Sequence, residues 1–263
     1  MAQNRQDAVL YEAQGPVAIV TLNRPHQNNA INDDMRASLL RLLDDIRANE
    51  QILAVVVTAS GNDAFSVGND IEEVASLTAL EAEACAQRSL SIHDRLVTLD
   101  KPVVAAIKGA CLGAGFELAL HCDIRLARAD ARFGFPGINV GITSSGSALA
   151  RLQRISGMGA ASALALTGGM VPAERAFMLG LISNVASDKD FDLSVQQLAV
   201  HLTTLSPVAV AETKRLLRVG AGEGVEAAAL QGPKSLAACY AQGGATERLR
   251  VLFGGPGPSA TVH

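Results

Sequence analysis

The chain contains no tryptophan, and aromatic residues make up only 3% of its 263 residues. Proteins that bind single-stranded nucleic acid stack bases on aromatic side chains, so this scarcity argues against such a surface. Positive charge is not in excess either, because 22 lysines and arginines stand against 26 aspartates and glutamates. The resulting net charge of −4 gives no reason to expect nucleic acid as a partner.

Long hydrophobic runs and regularly spaced cysteines are also missing. No stretch approaches the roughly 20 apolar residues of a membrane span, and the first seven residues contain no apolar signal core. The cysteines are scattered without metal-ligand spacing, at Cys85, Cys111, Cys122 and Cys239. We therefore expect reduced thiols, no metal site, no membrane association and a cytoplasmic location.

The residues that are present favour a well-packed α/β protein, because 49% are hydrophobic and 18% are charged. Short apolar runs predict strands at 16–22, 53–58, 103–107, 122–127 and 181–186. Helical patterns lie between them at 33–49, 77–99, 146–157, 158–167 and 172–179. This alternation predicts a parallel sheet with right-handed crossovers over residues 1–190. The remainder, 191–263, is predicted to be helical, with a disordered tail from about residue 254.

The most informative segment runs from 101 to 119. The apolar run 103–107 predicts a buried strand, glycines follow at 109, 113 and 115, and a helix begins before Glu117. A strand, a glycine-rich turn and a helix N-terminus expose backbone N–H groups with positive partial charge. A second glycine-containing loop, 65–71, also follows a strand. Two N–H groups from separate loops bind one oxygen as it becomes an oxyanion, so the pair predicts a catalytic anion site.

Several motifs in this order resemble the crotonase (enoyl-CoA hydratase/isomerase) superfamily along nearly the whole chain. The matching pieces are Ile-Val-Thr-Leu-Asn-Arg-Pro at 19–25, Asn-Ala-Ile-Asn at 29–32, Ala-Phe-Ser-Val-Gly-Asn-Asp-Ile at 64–71, Lys-Pro-Val-Val-Ala-Ala-Ile-Lys-Gly at 101–109, Leu-Gly-Ala-Gly-Phe-Glu-Leu-Ala at 112–119, Cys-Asp-Ile at 122–124, Phe-Gly-Phe-Pro-Gly at 133–137, and Leu-Thr-Gly at 166–168 with 176–181. Each piece alone is a weak signal, and their order and spacing together are a strong one.

The resemblance implies a spiral of repeated β-β-α units and a helical C-terminal region that supports a homotrimer or a dimer of trimers. It implies a coenzyme A thioester as substrate and no permanently bound cofactor. The thioester oxygen would lie between the N–H groups of Asn69 and Ala114. Many members have alanine in place of Asn69, whose side chain would add a hydrogen bond or narrow the pocket. Many members have glycine at the position of Ala114. Alanine is tolerated there only if its φ angle is negative.

By the same resemblance, further residues would contact the substrate or its CoA moiety. These residues are Arg24, His26, Ser66, Gly68, Asp70, Ile71, Leu112, Gly113, Pro136 and Gly137. His26 stands where relatives often carry lysine after the proline, and the C-terminal segment lacks the usual lysines. How the CoA phosphates are held is therefore left open.

Glu117 matches one of the two glutamates with which hydratases of this family hold and activate water. Burial would raise its pKa and suit it to general acid–base work. The second glutamate is missing, because Gly137 follows Pro136. The polar residues that could replace it are His121, Asn139, Thr143, Ser144 and Ser145. Ser145 is singled out by the resemblance, because some relatives place an acidic catalytic residue at that position. Hydration, isomerisation, decarboxylation and thioester hydrolysis stay open, as does a catalytically weak acyl-CoA-binding protein.

Two other classes fit less well. A dinucleotide-binding loop would need a third glycine where Leu118 stands. A serine peptidase of a related fold is suggested by the serines at 144, 145 and 147, but the Gly-x-Ser-x-Gly elbow is absent. His93, on the helix before the glycine-rich segment, is a weak candidate for the acyl pocket.

Overall fold

The computed structural model describes residues 7–242 and 244–253, so the tail predicted to be disordered lies outside the described residues. The described strands are β1 (Val9–Gln14), β2 (Val17–Leu22), β3 (Ala54–Ala59), β4 (Ala64–Ser66), β5 (Val103–Ile107), β6 (Ala110–Leu112), β7 (Ile124–Arg128), β8 (Arg132–Gly134), β9 (Met170–Pro172) and β10 (Asn184–Ala186). The helices are α1 (Asp33–Ala48), α2 (Ile71–Val74), α3 (Ala79–Thr98), α4 (Ala114–His121), α5 (Gly146–Thr167), α6 (Ala173–Met178), α7 (Phe191–Thr203), α8 (Pro207–Gly222), α9 (Val225–Ala241) and α10 (Ala245–Leu252).

The strands form two sheets. The larger sheet has the order β1-β2-β3-β5-β7-β10, and the smaller one has the order β4-β6-β8-β9. In the larger sheet only β1 is antiparallel, which confirms the predicted parallel core. Its central strands β3 and β5 are apolar except for Thr58, because helices cover one face and α7 contacts the other.

From β3 to β8 successive strands alternate between the two sheets, which makes the fold a spiral. Strands β3, β5 and β7 belong to the larger sheet, and each is followed after a few residues by a strand of the smaller one. A helix then returns the chain to the next turn of the spiral. The structure therefore repeats a β-β-α unit three times, although the sequence shows no internal repeat. Packing, not residue identity, is what each unit has in common.

The helical predictions are confirmed, including the division of the segment 146–167. Gly157 has φ 77° and interrupts α5, as the separate predictions of 146–157 and 158–167 required. The prediction of a loop at 65–71 was partly wrong, because a short strand occupies Ala64–Ser66. The strand Arg132–Gly134 was not predicted either. Three residues are too few for a periodicity signal, and pairing in the smaller sheet defines them as strands.

Candidate active site

The two glycine-containing loops meet at the end of the smaller sheet. The strands that carry them, β4 and β6, pair in parallel. A Cβ atom on Gly68 would lie 3.1 Å from the Leu112 oxygen and 3.2 Å from the Ala114 nitrogen. Gly68 has φ 101° and Gly113 has φ 49°, so both positions favour glycine. The two loops thus touch backbone to backbone.

Each loop presents one N–H group at this junction. The ladder between Ile31 and Asn69 uses the Gly68 oxygen and the Asp70 nitrogen, which leaves the Asn69 N–H outside the ladder. Ala114 is the first residue of α4, and the N–H groups of a first helical turn have no partner within the helix. Ala114 has a negative φ angle, as its side chain requires. The helix dipole adds positive potential at the same end.

Close approach beneath the junction depends on Gly115 and Ser66. A Cβ on Gly115 would lie 2.5 Å from the Cβ of Ser66, so only glycine fits there. The Ser66 side chain is fully buried, and its hydroxyl accepts a hydrogen bond from the Gly68 N–H at 3.1 Å. Ser66 therefore supports the loop from below and has no surface to offer a ligand.

Glu117 lies one turn into α4 and is only 7% exposed. Its Oε1 accepts a hydrogen bond from the Ser145 N–H at 2.9 Å. Burial raises the pKa of Glu117, and the Ser145 N–H and the Ser145 and Ser144 hydroxyls lower it by a smaller amount through hydrogen bonds. Among the described residues the Asn69 and Ala114 N–H groups have no hydrogen-bond acceptor. A buried carboxyl with a raised pKa on the same helix as one of them is equipped to move a proton next to an oxyanion.

Of the residues considered as replacements for the second glutamate, the structure brings Ser144 and Ser145 to the Glu117 carboxyl. Ser145 is the N-cap of α5, where its hydroxyl accepts from the Ala148 N–H at 3.3 Å. Asn139 lies against Gly168, and Thr143 is exposed and donates to the Ser144 oxygen. At Gly137 a Cβ would lie 3.1 Å from the Ile142 oxygen, which leaves little space for a side chain.

His121 contacts the Glu117 backbone, not its carboxyl. The His121 Nδ1 lies 2.7 Å from the Glu117 carbonyl oxygen, so Nδ1–H is the donor and Nε2 is left without a partner among the described residues. Its ring stacks on His93 with centroids 4.0 Å apart. The pairing of His121 with the Glu117 carboxyl that the sequence suggested is therefore not observed, and both rings are buried.

The stacked pair makes stability sensitive to acid. Burial lowers the pKa of His93 to about 3 and that of His121 to about 4, and each ring's pKa is lowered further by the charge of Arg151. Unfolded histidine titrates near 6.5, so stability present above pH 6.5 is lost as the pH falls towards 4. From these values each ring costs about 2 kcal/mol at pH 5.

We therefore expect His93→Phe, which keeps a ring in the stack, to halve the histidine contribution to the loss of unfolding free energy between pH 7 and pH 5. Denaturant titrations at the two pH values measure this loss. The exposed His201→Phe variant is the control and should lose as much as the wild type. An equal loss in His93→Phe would contradict the assignment.

The residues expected to bind CoA have different environments. Arg24 forms a 2.8 Å ion pair with Asp70, and its guanidinium also donates to the Ala30 oxygen at 2.6 Å. Burial acts to raise the pKa of Asp70, and the hydrogen bond and charge of Arg24 lower it below its usual value. His26 is exposed and Ile71 is 78% exposed, which leaves both side chains available to a ligand.

Arg36 was not among the predicted site residues, and its side chain is fully buried behind the loop 65–71 that carries Asn69. One signal was available, because position 36 lies three, four and seven residues before Leu39, Leu40 and Leu43 on the apolar face of α1. A charged residue on such a face indicates a specific partner.

The part of the chain that the structure describes contains neither a metal-binding cluster nor a membrane-spanning helix. In residues 7–242 and 244–253 no group of three or more histidine, cysteine, aspartate or glutamate side chains is arranged to hold a metal ion. Over the same residues no helix has the length and apolar character needed to cross a bilayer.

Comparison with known proteins connects this geometry to a chemistry. A family model described as enoyl-CoA hydratase/isomerase matches residues 12–240. The short-chain-enoyl-CoA hydratase of Clostridium acetobutylicum is 35% identical over 212 residues, which cover 81% of each chain. The crotonyl-CoA hydratase of Syntrophomonas wolfei is 30% identical over 218 residues, covering 83% of this chain and 82% of that one.

Solved structures show the same relationship. A crystal structure of an enoyl-CoA hydratase from Mycobacterium smegmatis superposes with a TM-score of 0.91 at 29% identity, covering 97% of this chain and all of that one. The predicted spiral of β-β-α units with a helical C-terminal region is thereby confirmed.

Proposed function

Because the chain belongs to the enoyl-CoA hydratase/isomerase family, we propose that it hydrates an enoyl-CoA thioester, with Glu117 as the group that moves the proton. It is an acyl-CoA-processing enzyme of the enoyl-CoA hydratase type. The observation that supports our choice of residues is the buried Glu117 carboxyl beside the junction of the two loops.

The reaction can proceed with one glutamate. The N–H groups of Asn69 and Ala114 bind the thioester oxygen and stabilise the enolate as it forms. Ionised Glu117 removes a proton from water while the water oxygen bonds to the β-carbon. The electron pair of the carbon–carbon double bond moves into the enolate. The proton on Glu117 then passes to the α-carbon, the carbonyl re-forms, and Glu117 is again ionised.

The second glutamate of two-glutamate hydratases orients the attacking water. In this chain we propose Ser144 as the substitute, because its hydroxyl lies close enough to the Glu117 carboxyl to lower its pKa and does not cap a helix. Ser145 is less free, since its hydroxyl caps α5. A hydroxyl both donates and accepts, so it can hold a water beside a carboxylate.

The test is a panel of enoyl-, hydroxyacyl- and malonyl-CoA thioesters, with product formation followed chromatographically. We expect the wild type to hydrate crotonyl-CoA. Ser144→Ala should lower kcat roughly tenfold, which is less than the roughly 10²–10⁴-fold effect of a direct general acid or base, because Ser144 only orients the water. Exposed Ser183→Ala is the control and should match the wild type. Turnover of malonyl-CoA alone would contradict the proposed hydration and indicate decarboxylation. Binding of the thioesters without any turnover would indicate a binding protein.

The finer features implied by the family are part of the same proposal. For contact with the substrate or its CoA moiety we propose Arg24, His26, Gly68, Asp70, Ile71, Leu112, Gly113, Pro136 and Gly137. We also propose that the protein has no permanently bound cofactor, a role in fatty acid metabolism and a cytoplasmic location. A homotrimer or dimer of trimers is supported by exposed apolar side chains on the C-terminal helices, among them Leu217, Leu230 and Leu236. Sedimentation equilibrium giving the mass of a single chain would contradict this assembly.

A further inference from the structure

Arg36 of α1 is a buried cation directly behind the loop that carries Asn69. Its side chain is 0% exposed. One terminal nitrogen, Nη2, donates to the Asn69 Oδ1 at 2.9 Å and to the Ile31 oxygen at 3.1 Å. The other, Nη1, pairs with the Glu73 carboxylate. The guanidinium thus connects three backbone segments around a single residue of the loop.

These contacts fix Asn69 from two sides. Its backbone lies in a parallel bridge with Ile31, and the Ile31 oxygen also accepts from Arg36. Its side-chain oxygen is held by the same guanidinium, so the amide is directed towards α1. Glu73 extends the network, because its second oxygen accepts from the Asp33 N–H at 2.8 Å at the start of α1. A rotation of the Asn69 peptide would break these hydrogen bonds.

Stability alone does not account for an arginine at this place. Burying a guanidinium costs desolvation, and its Nε has no partner among the described residues. Methionine would fill a similar volume on the apolar face of α1 without that cost. The arginine differs from methionine in one useful respect, since its planar fork holds several acceptors in fixed directions.

We propose that Arg36 is a positioning residue, which aims the Asn69 N–H at the thioester oxygen by holding the Asn69 side chain. The inference rests on the proposed function. A donor at an oxyanion site acts only when its direction is set before the reaction, and a misplacement of about 1 Å costs up to about 10²-fold in rate. Arg36 itself touches neither substrate nor reacting atoms in this assignment.

The experiment measures the infrared frequency of the bound thioester carbonyl. Butyryl-CoA labelled with carbon-13 at the thioester carbonyl is unreactive towards hydration, and infrared difference spectra report how strongly that carbonyl is polarised when bound. We expect a shift to lower frequency with the wild type and less than half of it with Arg36→Met or Asn69→Ala. Asn69→Ala keeps the N–H but loses the acceptor for Arg36, so it tests the same link if Arg36→Met does not fold.

Kinetics on crotonyl-CoA complete the test. We expect kcat to fall roughly tenfold or more in each single variant with KM changed less than about twofold. The fall in kcat of the double variant should be at most about twice that of either single variant, since both substitutions remove the same Arg36–Asn69 hydrogen bond. Arg88→Met is the matched control. Arg36 and Arg88 both pair with Asp33, at 3.5 Å and 2.9 Å, but the Arg88 side chain is 42% exposed and has no hydrogen bond to Asn69 among the described residues.

The outcomes separate the two proposals. No carbonyl shift with the wild type would overturn the proposed function and this inference with it. A wild-type shift that persists in folded Arg36→Met or in Asn69→Ala would overturn the inference alone. So would effects on kcat that multiply in the double variant.

Discussion

Glu117→Gln is expected to lose hydration activity by about 10²- to 10⁴-fold and, at neutral pH, to be more stable than the wild type. The loss follows because glutamine neither accepts the water proton nor delivers one to the α-carbon. The gain follows because burial raises the pKa of Glu117, so its ionised form is disfavoured in the folded protein. Glutamine keeps the acceptor for the Ser145 N–H and carries no charge.

The raised pKa of Glu117 makes the stability of the wild type depend on pH. A carboxyl whose folded pKa lies above the unfolded value near 4.5 contributes stability below pH 4.5, and that contribution is lost as the pH rises through the folded pKa. The stability difference between Glu117→Gln and the wild type should therefore be largest at neutral pH and vanish below pH 4.5. Wild-type activity should rise with pH through the same folded pKa, because the ionised form is the base.

Rates on crotonyl-CoA and denaturant titrations at several pH values measure both effects. Glu174→Gln is the matched control, since Glu174 is an exposed glutamate in the first turn of α6. It should keep full activity and gain no stability. Equal rates for Glu117→Gln and the wild type would remove Glu117 from the mechanism.

Much of the fold was predictable because its periodic segments are long. The strand 103–107 and the helices on either side of Gly157 have clear apolar patterns and flanking glycines. The smaller sheet was not predictable, since its strands are three residues long and owe their conformation to each other. Their register determines where the two loops touch, and no local pattern encodes that register.

The candidate site was also predictable only in part. Glycines with positive φ at 68 and 113 and the carboxyl at 117 are residue types with a local requirement, so the sequence indicated them. The partners that turn these positions into a site come from distant segments. Ser145 reaches Glu117 across 28 residues, and Arg36 reaches Asn69 across 33. Such contacts depend on tertiary packing. For this reason Arg36 was missed, and no feature of the sequence favoured Ser144 over Asn139.

Gly68→Ala tests the junction between the loops. We expect it to lower kcat on crotonyl-CoA by about 10²-fold or more, with the protein still folded. Gly68 has φ 101°, and a Cβ there would lie 3.2 Å from the Ala114 nitrogen and 3.1 Å from the Leu112 oxygen. The methyl group must displace the loop that carries Ala114 by a few tenths of an ångström, and it strains the peptide that leads to Asn69. Both oxyanion donors shift together, and losing one such donor costs about 10²–10³-fold.

The control separates displacement from backbone strain. Gly224 has φ 99° but no atom within 4 Å of its would-be Cβ, so Gly224→Ala carries a similar conformational cost in open space. Both variants should lose stability by a comparable amount of about 1–3 kcal/mol in denaturant titrations, and only Gly68→Ala should lose activity. If Gly68→Ala retains wild-type kcat while its stability falls, the two loops do not form the oxyanion site. If both variants lose activity equally, strain and not the position of the donors is responsible.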